Sequence, residues 1–160
     1  RAPGRAASGR RGHGPVGEAG RYPIAIGRFN EDLAARLIAG AQRAFVAATG
    51  DAADVYDVPG AFELPLAAAY LAEAGRYAGV ACLGAVIRGE TDHYDYVCAE
   101  AARGIQDVQL RTGIPCSFGV LTVENMEQAL ARPGGGKGDQ GEHAAQAVLQ
   151  LSAQRRDLGV

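Results

Sequence analysis

Between Val80 and Ile87 the chain reads VACLGAVI, a continuous run with no charge and no side-chain amide. A membrane span needs about 18 such residues, so this run is too short to cross a bilayer. It is also too uniform for a strand with one wet face, which would alternate apolar and polar residues. A β-strand covered on both faces fits it. Such a strand requires helices above and below, and that narrows the chain to an α/β layout.

The surrounding sequence supplies those helices. Tyr22 to Ile26 reads as a first strand stopped by Gly27, and Asn30 then caps a helix with Glu31 and Asp32 in its first turn, where acids suit the positive dipole end. Leu33, Leu37, Ala41, Ala44, Phe45 and Ala48 follow at helical spacing until Gly50. Val55 to Val58 reads as a second strand broken by Pro59-Gly60, and Leu66 to Ala74 as an Ala-rich helix closed by Gly75. After Val80–Ile87 come a polar loop from Arg88 to Asp92, a helix from about Tyr94 to Leu110, and a fourth strand from Cys116 to Val123. A short helix around Asn125 to Ala131, a Gly-rich break from Pro133 to Gly138 and a last helix from about Glu142 to Arg155 complete the reading. Repeated strand–helix alternation predicts a mainly parallel sheet with helices on both faces.

Composition excludes several classes. With 160 residues, 48% hydrophobic, the chain is long enough for one full core. A net charge of −2 offers no basic face for nucleic acid or an anionic membrane. Three Cys with no Cys-x-x-Cys pair fit reduced thiols in a cytoplasmic protein rather than a disulfide framework. Residues 1–20 stand apart: rich in Gly and Arg with Glu18 as their only acid, they carry +3 against −5 for the rest. They lack the apolar stretch of a secretory signal and read as a disordered tail preceding a domain at 21–160.

In open parallel sheets, ligands bind beyond the carboxyl ends of the strands. Those ends carry Arg28-Phe29-Asn30, Gly60-Ala61-Phe62-Glu63, Arg88 to His93, and the residues from Thr122 onward. An aromatic, a carboxylate, a histidine and small residues thus meet on one rim, the mix that a planar, polyhydroxylated ligand needs. Each also has a structural reading. Phe29 can staple the following helix, Glu63 can sit in a first turn, and His93 can simply open a helix. Functionally, Phe29 is a platform for a heteroaromatic ring, Glu63 accepts from ligand hydroxyls, and His93 is a natural proton shuttle. Gly89 to Thr91 leads into a helix and suits an anion, whereas Arg132 either complements a helix C-terminus or clamps phosphate.

Two other motifs fail. Gly134 to Gly138 resembles a phosphate loop, but Ala131 and Gly138 replace the required Gly and Ser/Thr, and no strand precedes the segment. Cys82, Cys98 and Cys116 with His93 do not make a zinc site, because Cys82 and Cys116 fall inside strands. His143 lies in the first turn of the last helix and reads as solvated.

The strings GRFN (27–30), VPGAFELPLAA (58–68), LGAVIRGETDHYDYVC (83–98) and FGVLTVENMEQA (118–129) together resemble the 6,7-dimethyl-8-ribityllumazine synthase family. The resemblance runs in order from about Tyr22 to the end of the chain. It implies a flavodoxin-like α/β/α sandwich with a four-stranded parallel sheet, assembled into pentamers with sites between subunits. It also implies condensation of 5-amino-6-(D-ribitylamino)uracil with 3,4-dihydroxy-2-butanone 4-phosphate, releasing phosphate and water with no cofactor and no metal. Residue by residue, it places Phe29 and Asn30 at the pyrimidine, and Ala61, Phe62 and Glu63 at the ribityl chain. Val86 and Ile87 meet the ring through their backbones, Glu90 and Thr91 hold phosphate, and His93 transfers protons. Phe118 and Arg132 come from the adjacent chain, with Arg132 on the phosphate. Riboflavin synthase is a further partner that the resemblance suggests.

One departure stands out. The family places a lysine before the glycine of the last helix, and here Gln140 precedes Gly141. Lys137, the chain's only lysine, is the candidate substitute. The missing lysine leaves open a catalytically weak relative that binds flavin or lumazine, whereas His93 and Arg132 speak against a flavodoxin-like electron carrier. Pro23, lacking a backbone donor, suggests isolated pentamers or pairs of them rather than a closed shell.

Overall fold

A computed structural model describes residues 21–89, 92–131 and 139–160. The 1–20 segment, Glu90, Thr91 and the 132–138 stretch with Arg132 and Lys137 lie outside the described residues. The elements run β1 (Pro23–Gly27), α1 (Glu31–Thr49), β2 (Asp54–Val58), a 3-10 turn (Ala61–Glu63), α2 (Leu64–Glu73), β3 (Val80–Ile87), α3 (His93–Thr112), β4 (Cys116–Val123), α4 (Met126–Ala131) and α5 (Gln140–Leu158). All three strand pairings are parallel, in the order β2-β1-β3-β4. This is the three-layer α/β sheet expected from the alternation.

The period-two geometry of a strand sorts the core into two layers. On β3, Ala81, Leu83 and Ala85 face one cluster while Val80, Cys82 and Val86 face the other. The first cluster packs against α1 and α5 through Leu33, Leu37, Phe45, Ala145 and Val148. The second packs against α2 and α3 through Leu64, Ala68, Ile105 and Val108. VACLGAVI is apolar throughout because both of its faces are covered.

Helix ends follow their local chemistry. Asn30 Oδ1 accepts from Leu33 N at 3.0 Å, and Gly50 closes α1 in the left-handed region at φ 80. α2 begins earlier than the Ala-rich run suggests, at Leu64, because Pro65 fits the first turn and the 3-10 turn feeds directly into it. α5 also begins earlier: Asp139 is its N-cap, with Oδ1 accepting from Glu142 N at 3.1 Å. Gln140 is therefore the first residue of the helix.

Pro23 requires a correction. It is the first residue of β1, buried in the sheet interior with β2 on one side and β3 on the other. It therefore gives no argument about pairing with a neighbouring molecule.

Candidate active site

The ladder between β3 and β4 continues to Ile87 and Val123, but the ladder between β3 and β1 ends at Leu83. β3 thus overhangs β1 by about one turn's worth of residues, leaving a step beside the backbone of Ala85, Val86 and Ile87. This step lies where the strand order reverses, the position at which open α/β sheets bind ligands. It brings Val86 and Ile87 to the rim through their main chain, Val86 being buried and Ile87 half-buried.

Several of the residues singled out in the sequence lie in the segments that follow the strands beside this step. Gly27 ends β1 against the turn after β2: a Cβ there would come within 2.9 Å of the Gly60 carbonyl carbon and 3.1 Å of Ala61 N. Only glycine lets the two strand ends approach so closely. Phe29, Asn30, Gly84 and Ala85 line a shallow hollow on the α1 side. Phe29 is 61% exposed, so stapling α1 is at most a minor use of its ring, and the face is open to a ligand. Asn30 commits its side-chain oxygen to the helix cap, which leaves its amide N–H groups as its donors.

From the β2 end come Ala61, buried, and Phe62 and Glu63, both exposed. Glu63 N donates to Gly60 O at 3.2 Å, fixing the turn that presents the carboxylate. His93 opens α3 on the same edge and is exposed. Glu90 and Thr91, the residues named for phosphate, lie outside the described residues, as do Arg132 and Lys137.

The rim's two described arginines are held by carboxylates. Arg28 Nε donates to Asp57 Oδ1 at 2.5 Å, and its main-chain N donates to Val58 O at 3.0 Å, tying β1 to β2. Arg88 Nε meets Glu124 Oε2 at 3.2 Å, its N donates to Val123 O at 2.9 Å, and its guanidinium lies 4.7 Å from the Tyr94 ring centroid. Both pin strand ends in place.

Phe118 does not join this group. It pairs in register with Cys82, five positions before the carboxyl end of β4, which is about 16 Å along the strand. It is 42% exposed on the sheet's edge strand, where with Ser117, Gln140 and His143 it lines a groove of about 330 Å³ between α3 and α5. Gln140 therefore sits beside Phe118, and the position where the expected lysine is missing is not on its own chain's rim. His143 is exposed, as its place in the first turn suggests.

The thiols are unsuited to chemistry. Cys82 and Cys116 are buried in β3 and β4; burial raises the Cys82 thiol well above its ordinary range and pushes Cys116 up to about 12. Among the described residues no group of three His, Cys, Asp or Glu is placed to hold one metal ion.

The sequence reading missed Asp139, Arg36 and Arg43. The cap was legible, since Asp139 stands three residues before Glu142 ahead of an apolar-periodic stretch. The arginines gave no signal, because their partners lie 94 and 96 residues away in the chain.

An open parallel sheet with an aromatic, a carboxylate and a histidine in the segments after three successive strands has the layout of an α/β enzyme acting on a small molecule. A family model for 6,7-dimethyl-8-ribityllumazine synthase matches residues 20–156. A protein named 6,7-dimethyl-8-ribityllumazine synthase from Desulfatibacillum aliphaticivorans is 45% identical over 136 residues, spanning 84% of this chain and 88% of that protein. The chain belongs to the 6,7-dimethyl-8-ribityllumazine synthase family, and it is a transferase of riboflavin biosynthesis.

Proposed function

We propose that the rim beside the β1–β3 step binds 5-amino-6-(D-ribitylamino)uracil and 3,4-dihydroxy-2-butanone 4-phosphate and condenses them to the lumazine, releasing phosphate and water. The observation that carries this reading is that Phe29, Glu63 and His93, all exposed, lie in the segments that follow the carboxyl ends of β1, β2 and β3 in a chain of this family.

In this reading the exposed Phe29 ring stacks on the pyrimidine, with an Asn30 N–H as donor. Main-chain groups of Val86 and Ile87 meet the heterocycle's polar edge, and Glu63 accepts from ribityl hydroxyls while Ala61 and Phe62 shape the channel. The substrate's own amine forms the imine, so no lysine nucleophile is required. His93 moves protons during phosphate elimination and ring closure, and Glu90, Thr91 and Arg132 hold the leaving phosphate, with Lys137 a candidate for the absent charge. Holding two reactants in one orientation supplies much of the rate.

The reading includes a cytoplasmic location and assembly into pentamers in which Phe118 and Arg132 serve the neighbouring copy's rim. Two surfaces support that assembly. Phe62 in the 3-10 turn and Leu66 and Tyr70 on α2 are exposed large apolar residues, and the groove containing Phe118 lies between α3 and α5 at the β4 edge. Two unlike surfaces on one chain build a ring by head-to-tail contact.

The test is a steady-state assay with both substrates, following lumazine fluorescence and phosphate release together. Matched appearance of the two is expected, with His93→Gln lowering kcat by about 10²-fold, the lower end of what a positioned proton donor supplies. Lumazine binding without turnover would overturn the catalytic reading.

A further inference from the structure

The start of α3 is held differently from the starts of the other two long helices. Asn30 caps α1 and Asp139 caps α5 through their side chains, but Asp92, the residue before α3, makes no side-chain cap bond. Its carbonyl accepts from both Asp95 N at 3.1 Å and Tyr96 N at 3.4 Å, so the turn opens on one shared acceptor. A first turn without a side-chain cap keeps fewer of its main-chain donors satisfied and frays more readily. His93 is the first residue of that turn.

Arg88 reaches this turn from the sheet. Its main-chain N donates to Val123 O at 2.9 Å, so its own position is set by the β3–β4 ladder. Its guanidinium then meets both sides: Nη2 lies 3.7 Å from Asp95 Oδ1, and Nε lies 3.2 Å from Glu124 Oε2, one residue past β4. The same group stands 4.7 Å from the ring centroid of Tyr94, which is half-buried and packs on the second core cluster. The three charged side chains are 48%, 66% and 61% exposed, so these ion pairs contribute little to global stability. What they do is local. We propose that Arg88 is a positioning residue: by engaging Tyr94 and Asp95 it holds the first turn of α3 to the end of β4, and so fixes where His93 stands. The proposal rests on the proton-transfer role of His93 given above. The segments after β1 and β2, which carry Phe29 and Glu63, are tied separately through Arg28 and Asp57.

Two readouts on the full-length protein test this with Arg88→Met, which keeps an unbranched stem and removes the charged fork. The first is amide hydrogen exchange. Tyr96 and Val97 should exchange faster than in the parent, while the second half of α3 stays as protected as before. The second is steady-state kinetics. The expected result is a fall in kcat of about tenfold, as a small displacement of a reacting group implies, with KM for the aminouracil unchanged. In a His93→Gln background Arg88→Met should lower kcat no further. Arg88→Lys keeps a cation for the Tyr94 ring and for Glu124, and should recover most of the kcat and of the slower exchange. Unchanged exchange in the first turn, or faster exchange with kcat unchanged where His93→Gln does lower it, would overturn the proposal. An equal loss of kcat with and without His93 would do the same. If His93→Gln itself leaves kcat unchanged, the proton-transfer reading fails, and exchange alone decides whether Arg88 holds the turn.

Discussion

The residue that most separates a binding use from a structural one is Phe29. Its ring is 61% exposed, so removing it forfeits little buried area. Phe29→Ala should therefore leave the thermal midpoint within a degree or two of the parent's, while KM for the aminouracil rises about tenfold or more, as loss of a base-stacking platform implies; melting curves and initial rates check both. The thiols give the opposite case, groups whose whole effect is on stability. In the unfolded chain they ionise near their ordinary pKa of about 8.5, whereas burial keeps Cys82 and Cys116 protonated far higher, Cys116 up to about 12. Their contribution is full below the unfolded pKa and is lost as pH rises toward the folded one. Denaturant midpoints should fall between about pH 9 and 11, and Cys116→Ala should make that fall shallower. At this scale the sequence was legible where a side chain acts through its own neighbours. Asn30 reads as a cap because its partner, Leu33 N, is three residues on. Arg28 and Arg88 could be placed on the rim but not assigned as pins, since Asp57 and Glu124 reach them only through the sheet.

At the scale of elements, β3 and β4 were bounded correctly because a strand covered on both faces has an apolar run as long as itself. The starts of α2 and α5 were placed too late for a common reason. Pro65 and Asp139 are poor interior residues but good first-turn and cap residues, and a rule that looks for apolar spacing passes over them. The closeness of α1 and α5 was not legible at all. A Cβ at Gly141 would sit 2.0 Å from the Leu37 carbonyl oxygen, main chain that cannot rotate away. Gly141→Ala should accordingly push the two helices apart and cost about 2 kcal/mol or more, in the range of overpacked contacts, read as a lower denaturant midpoint. Because α5 also carries Gln140 and follows the 132–138 connection, the same variant should lose activity even at temperatures where it remains folded.

At the scale of the whole molecule, the strand order places β2 and β4 at opposite edges of one sheet. Phe118 belongs to the second edge, near the start of β4, whereas Phe29, Glu63 and His93 follow the carboxyl ends of β1, β2 and β3. Phe118's distance from its own strand's end was legible from the bounds of β4, but its edge position was not, because that depends on strand order. If each catalytic centre takes its rim from one copy and Phe118 and Arg132 from the next, then two differently crippled proteins can repair one another. Protein lacking His93 and protein lacking Arg132, each nearly inert alone, should regain activity when co-refolded. In random rings made from equal amounts, about a quarter of the junctions join two intact halves. Activity near that fraction of the parent's, seen only after subunits are exchanged, would be complementation between chains, and a gene carrying either lesion would then be masked by a second gene carrying the other.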